Sequence, residues 1–256
     1  MSWISKFYIH SNIKIIICGL GGTVIKDLRY LYQPFYHSLK KYGINQDTFP
    51  NDKMLDIYGK DKFVAIHDIV RQTYPKEKEA AKVIQDIYQD SKYMDHLIND
   101  FPKKAEFVNS DIPETLINIR LNGLKVVFTS AYPKNIGDKI VKDLNLHNCF
   151  DNYLFDEDTR FSTNKPSVER IQFLMKQFNV DNHKQVIKVG SNINDIVEGN
   201  FAHCGVNIAT LTGYDYEDEL VEVGADYIIN NLSDVIINRE SLCLHQINNY
   251  QGNDDK

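Results

Sequence analysis

The chain has 256 residues, 43% hydrophobic and 25% charged, the proportions of an ordinary globular protein with a sizeable core. A net charge of −6 and a pI of about 5.7 give no basic footprint for nucleic acid, and no apolar run approaches the roughly 18 residues that span a bilayer. Cys18, Cys149, Cys204 and Cys243 form no CxxC pair, which excludes a zinc ribbon, a thioredoxin-type motif and a disulfide scaffold.

Residues 1–11 read as a polar tail without the long apolar stretch of a secretory signal, which together with the lone cysteines points to the cytoplasm. The run Ile13-Lys14-Ile15-Ile16-Ile17-Cys18 is nearly continuous in β-branched residues and ends in Gly19-Leu20-Gly21-Gly22-Thr23, the pattern of a central parallel strand. Residues 29–108 carry helical spacing only: Phe35, Leu39 and Tyr42; then Phe63, Ile66 and Val70; then Ala80, Val83, Ile84 and Ile87. Pro113 opens a helix carrying Leu116, Ile119 and Leu121, and Gly123 closes it. Residues 125–128 form the next strand, with Thr129 and Ser130 at its end. A helix near 167–178, a strand at 186–189, a helix near 194–203, a strand at 206–209, a short helix near 216–223 and a strand at 227–229 follow. This alternation predicts an α/β fold: a doubly wound parallel sheet from residues 12–28 plus 109–237, with an inserted all-α cap at 29–108 and polar tails at 1–11 and 238–256. Ligands in such sheets sit at the carboxyl ends of the strands, so the loops after Cys18, Phe128 and Val189 are the ones to read for chemistry.

The first of these loops, GLGGT, has three glycines in four positions and lets a backbone approach an anion closely. A dinucleotide-binding fingerprint would need a glycine at Val24 and a second strand bearing an acid about 20 residues on, and neither is present. Taken together the segments are GLGGTV, the helical insert, KVVFTSAYPKNI, NKPSVERI, VIKVGSNINDIVEG and TGYDYEDEL. In that order and spacing the chain resembles the haloacid dehalogenase superfamily, in its phosphonatase-like and phosphoglucomutase-like branch with a helical cap. The likeness spans about Ile13 to Val235. It implies a phosphatase-type core whose strand-end residues attack and position a phosphoryl group, with Mg²⁺ as the cofactor.

Where the family carries a nucleophilic Asp and then a second Asp, this chain has Gly19 and Gly21; Gly22 and Thr23 of that motif remain. Glycine can neither attack phosphorus nor carry a proton. Ser130, with Thr129 as the one-residue alternative, matches the hydroxyl that holds the phosphoryl group, and Ala131 follows it. Lys165, before Pro166, matches the lysine that neutralises its charge. In the fourth motif the Mg²⁺-ligating Asp is replaced by Ser191, and only the trailing Asp195 survives, expected to cap the following helix. The resemblance therefore implies a pseudoenzyme with no intact catalytic residue and no cofactor. Gly22, Thr23, Ser130, Ala131, Lys165, the GLGGT amides and the helix after residue 191 are expected to gather round a small phosphate-type anion.

The alternative is a hydrolase of a small phosphorylated or phosphonate metabolite that uses Mg²⁺ and a displaced acid such as Asp27 or Asp195. Cys18, next to the nucleophile position, should point into the helix–sheet core and be a poor nucleophile. In the cap, Lys62 matches a Gly-x-x-Lys element of the branch and His67 follows one turn on. Tyr30, Tyr32, Tyr36, Tyr42, Tyr58, Tyr74, Tyr88 and Tyr93 suit either internal packing or a protein partner or homodimer through the cap. No nucleic acid and no membrane is expected as a partner.

Overall fold

The computed structural model describes residues 2–3, 6–10, 12–26, 38–45, 62–88, 105–156 and 167–237. Its organising element is strand β3, Ile15–Gly19, buried along its whole length because both its edges are paired and both its faces are covered. In chain order β3 is preceded by β1 (Ser2–Trp3) and β2 (Phe7–Ile9). It is followed by helices α1 (Lys62–Thr73) and α2 (Glu77–Tyr88), then α3 (Ile112–Leu121), β4 (Lys125–Pro133), α4 (Lys134–Asp143) and β5 (Asn152–Asp156). The remainder is α5 (Val168–Gln177), β6 (Val186–Gly190), α6 (Ile193–Phe201), β7 (Val206–Thr210), α7 (Glu217–Glu222), β8 (Tyr227–Ile229) and β9 (Val235–Ile237).

Seven strands form one sheet in the order β1-β8-β7-β6-β3-β4-β5, every pair parallel, while β2 and β9 pair separately. The predicted doubly wound sheet is therefore present. Side-chain alternation along β3 sends Ile16 and Cys18 to the apolar layer shared with α3 and α4, and Ile15 and Ile17 to the layer shared with α5. The second layer continues under α6 and α7 through Ile196, Ala209, Leu220 and Ile228. Ile66 and Val70 of α1 and Ala80, Ile84 and Ile87 of α2 are buried at the predicted helical spacing, and Leu39 is buried as well.

Residues 1–11 are not a polar tail throughout. Ser2–Trp3 extends the sheet beside β8, and Phe7 and Ile9 are buried on either side of the exposed Tyr8 as β2 pairs with β9. Apolar alternation over three residues is enough to seat a strand when a partner strand is waiting at the far end of the chain. The 238–256 segment lies outside the described residues. Among the described residues no helix is long and apolar enough to cross a membrane.

The segments at residues 24–26 and 106–108 run antiparallel. Ile25 bridges Phe107, Lys26 N donates to Glu106 O at 2.7 Å and Val108 N to Val24 O at 3.2 Å. The Lys26–Glu106 ion pair closes this ribbon on the solvent side at 2.6 Å.

Candidate functional site

At the carboxyl end of the sheet, the ends of β3 and β6 lie side by side and both finish in glycine, Gly19 and Gly190. The Asp195 side chain, reaching back from the first turn of α6, fills the space these glycines leave. A methyl group on Gly190 would overlap its Cβ and Cγ, and one on Gly19 would lie 2.8 Å from its Oδ2. Asp195 is wholly buried, and both its oxygens are engaged: Lys188 Nζ donates to Oδ1 at 2.7 Å and Asn192 Nδ2 to Oδ2 at 2.8 Å.

Lys188 is the cation of this end of the sheet. It occupies the middle of β6 with no exposed surface, ion-pairs Glu198 at 3.2 Å and donates to the Thr129 hydroxyl at 3.3 Å. Burial by itself would push the ammonium toward deprotonation, but the Asp195 and Glu198 carboxylates more than offset it and hold the lysine's pKa above its ordinary value. Glu198 in turn accepts from Ser167 N at 3.3 Å, tying the start of α5 to α6. Thr129 is thereby committed to the buried network, and Ser130 is the hydroxyl left for the cleft.

Gly21 has a different neighbour. The Tyr132 ring lies over it, and a methyl group there would overlap the phenol hydroxyl. Tyr132 is missed in the sequence reading, although it stands two residues beyond Ser130 on an extended strand, a spacing that returns a side chain to the same face. Ser130 Oγ accepts from Tyr132 N at 3.1 Å, and Arg170 Nη1, itself buried, donates to Ser130 O at 3.2 Å. Ala131 is buried between them.

The GLGGT loop is folded on itself. Gly22 adopts φ +77°, and Gly22 N donates to Ile25 O at 2.8 Å while Val24 N and Ile25 N both donate to Leu20 O. The expected cradle is corrected to this extent: the Gly22 amide turns inward and offers nothing to an anion. The helix after residue 191 is corrected too. Asn192 is its N-cap, accepting from Asp195 N at 3.0 Å, so Asp195 is the returning partner of the cap and not the cap itself. The Asp215 carboxylate accepts from Ile193 N at 2.5 Å, so an internal anion already sits where a ligand anion was expected.

Thr23 is wholly buried, and its hydroxyl has no hydrogen-bond partner among the described residues. It would lie 3.0 Å from a methyl group on Gly19 and so faces the space where a residue-19 side chain would be. Cys18 behaves as expected: it is buried on the opposite face, and burial pushes its thiol up to about 12, far from a thiolate nucleophile. Lys165 and Asp27 lie outside the described residues. Lys62 opens α1, and His67, exposed on the same helix, contacts Asp68 at 3.4 Å. Of the cap tyrosines, Tyr74 donates to Tyr42 O at 2.5 Å and both pack against the core, whereas Tyr88 is exposed. Tyr30, Tyr32, Tyr36, Tyr58 and Tyr93 lie outside the described residues.

Among the described residues, the donors at the ends of β3 and β6 do not fit the Mg²⁺ that the resemblance implies. Position 19 has no side chain, Ser191 Oγ donates to Gly21 O at 3.3 Å, and both Asp195 oxygens already face proton donors. Among the described residues no group of three or more His, Cys, Asp or Glu side chains is placed to hold a metal ion.

A family model described as haloacid dehalogenase-like hydrolase matches residues 13–203. Among solved structures, the chain is similar to a phosphonoacetaldehyde hydrolase-like protein from Oleispira antarctica, at 14% identity and a TM-score of 0.67 over 100% of both chains. It is also similar to a hydrolase from Pseudomonas syringae, at 16% identity and a TM-score of 0.69, covering 92% of this chain and 98% of that one. A predicted phosphoglycolate phosphatase from Haemophilus somnus 129pt gives 20% identity and a TM-score of 0.68, covering 88% and 96%. No curated protein matches the sequence.

Proposed function

The chain belongs to the haloacid dehalogenase-like hydrolases, and we propose that within this family it has given up phosphoryl transfer and keeps the fold to bind a phosphate-type anion. The observation that carries this reading is Tyr132. Its phenol stands in the side-chain space of residue 21, so the acid of that position is not merely missing; a hydrogen-bond donor has taken its place. Gly19 supplies no nucleophile, and Asp195, the carboxylate that a residue-19 side chain would meet, is paired with a buried ammonium and held by the Asn192 amide. That pairing argues against Asp195 as the displaced acid, because a carboxylate with both oxygens engaged is a poor base and a poor nucleophile; Asp27, the other candidate, lies outside the described residues. What the cleft retains suits an anion: the Ser130 hydroxyl, the Tyr132 phenol, the Thr23 hydroxyl, which has no partner among the described residues, and, by the sequence match, Lys165.

Two measurements test the proposal. Purified protein with p-nitrophenyl phosphate and Mg²⁺ should show no turnover above a buffer control. Titration calorimetry with inorganic phosphate should show binding that Thr23→Val and Tyr132→Phe each weaken. Turnover abolished by EDTA overturns the loss of catalysis, and absence of phosphate binding overturns the retained role.

A further inference from the structure

We infer that the loops a divalent cation would tie together in this fold are tied here by side-chain protons, so that the site is built to hold its shape without a metal. The inference rests on the non-catalytic reading above but concerns the architecture of the cleft, and its test has a separate readout.

Two oxygen atoms that face each other across a cleft repel unless something positive stands between them. A cation can do this, and so can a proton carried by one of the two groups. An aspartate at position 191 would set a carboxylate against the Gly21 carbonyl and would need an ion between them. Ser191 brings its own proton: its hydroxyl donates to Gly21 O at 3.3 Å, linking the loop after β6 to the loop after β3. The loop after β7 makes the same kind of link one residue on. The Thr212 hydroxyl donates to Gly22 O at 2.5 Å and is itself in contact with the Thr210 hydroxyl at 3.0 Å. Asp195 completes the set, with Lys188 on one oxygen and Asn192 on the other.

Four acceptor oxygens at the carboxyl end of the sheet, Gly21 O, Gly22 O and the two of Asp195, are therefore each met by a proton donor of the chain itself. The packing is close enough to depend on these partners. A methyl group on Gly22 would overlap Ser191 Oγ, and one on Gly213 would overlap Ser191 O. The buried hydroxyl of Thr23, beside Gly19, has no hydrogen-bond partner among the described residues.

The test is thermal unfolding of the full chain in EDTA and in millimolar Mg²⁺. The wild-type Tm should be the same in both. Ser191→Ala and Thr212→Val should each lower Tm by roughly 2–4 °C, the shift expected for losing one hydrogen bond in a chain of this size, again with no response to Mg²⁺. Ser191→Asp should be less stable than wild type in EDTA and recover on adding Mg²⁺, because it exchanges the proton for a charge that needs the ion. Stabilisation of the wild type by Mg²⁺ overturns the inference, as does an unchanged Tm for both Ser191→Ala and Thr212→Val, and neither result bears on whether the protein hydrolyses phosphate esters.

Discussion

Two aspartates, one at each end of the sheet, gather cations in opposite ways. At the amino end Asp151 accepts from Arg120 Nε at 3.1 Å, Lys125 Nζ at 3.2 Å and the Val126 amide at 3.0 Å, and its basic partners reach into solvent. At the carboxyl end Lys188 is shared by Asp195 and Glu198, and no member of the trio is exposed. The first cluster has two cations for one acid in screening solvent, where each pair contributes little. The second has two acids for one cation in the interior, where removing the cation leaves both acids stranded. The amino end is an ordinary clasp between α3, β4 and the turn before β5. The carboxyl end, where this fold does its chemistry, is the place where the charges cannot be separated.

Removing the cation of the buried trio tests this contrast most severely. Lys188→Met leaves Asp195 and Glu198 buried without it and should cost about 3–5 kcal/mol, read as a large fall in the denaturant midpoint. A loss no greater than that of an amino-end variant would erase the distinction. Gly21→Ala comes next. It drives a methyl group into the Tyr132 phenol and should cost about 1–3 kcal/mol by overpacking, with most of the loss recovered in a Tyr132→Ala background. The smallest effect is at the amino end. Asp151→Asn, which keeps the shape and part of the hydrogen bonding, should cost about 1–2 kcal/mol.

The two ends should also differ in their pH response. Burial works against ionisation of Asp151, but Arg120, the Val126 amide and Lys125 outweigh it and hold its carboxyl below the ordinary value of 3.8. Its contribution is fully present above that value and fades as pH falls through the lower folded one. The Lys188 contribution has the opposite sign: it is fully present below the ordinary lysine value of 10.5 and is lost only at higher pH. Acid titration of stability should therefore lose a component in Asp151→Asn, and this is checked by chemical denaturation across the acid range.

The strands of the sheet's centre were legible because they are buried on both faces. The apolar runs at 13–18, 186–189 and 206–209 correspond closely to Ile15–Gly19, Val186–Gly190 and Val206–Thr210. The edge was not. Asn152–Asp156 pairs on one side only and mixes polar with apolar residues, and β1 is two residues long, so neither leaves a periodic trace. At the site, the residues that differ from the family motif could be read singly, as Gly19, Gly21 and Ser191. The residues that respond to those differences could not. Tyr132 enters from β4 and Thr212 and Asp215 from the loop after β7, and only the fold brings Thr212 next to Gly22, 190 positions earlier. Lys188 stands within a motif the sequence reading used, yet a lysine inside an apolar strand gives no sign of its partners until α6 is laid across it.

The Tyr132 ring over Gly21 also bears on how position 21 can change. A side chain introduced there alone would meet an aromatic ring in the space it must occupy. The two positions are therefore coupled, and substitutions at the pair should be tolerated when Tyr132 shrinks first and resisted in the other order.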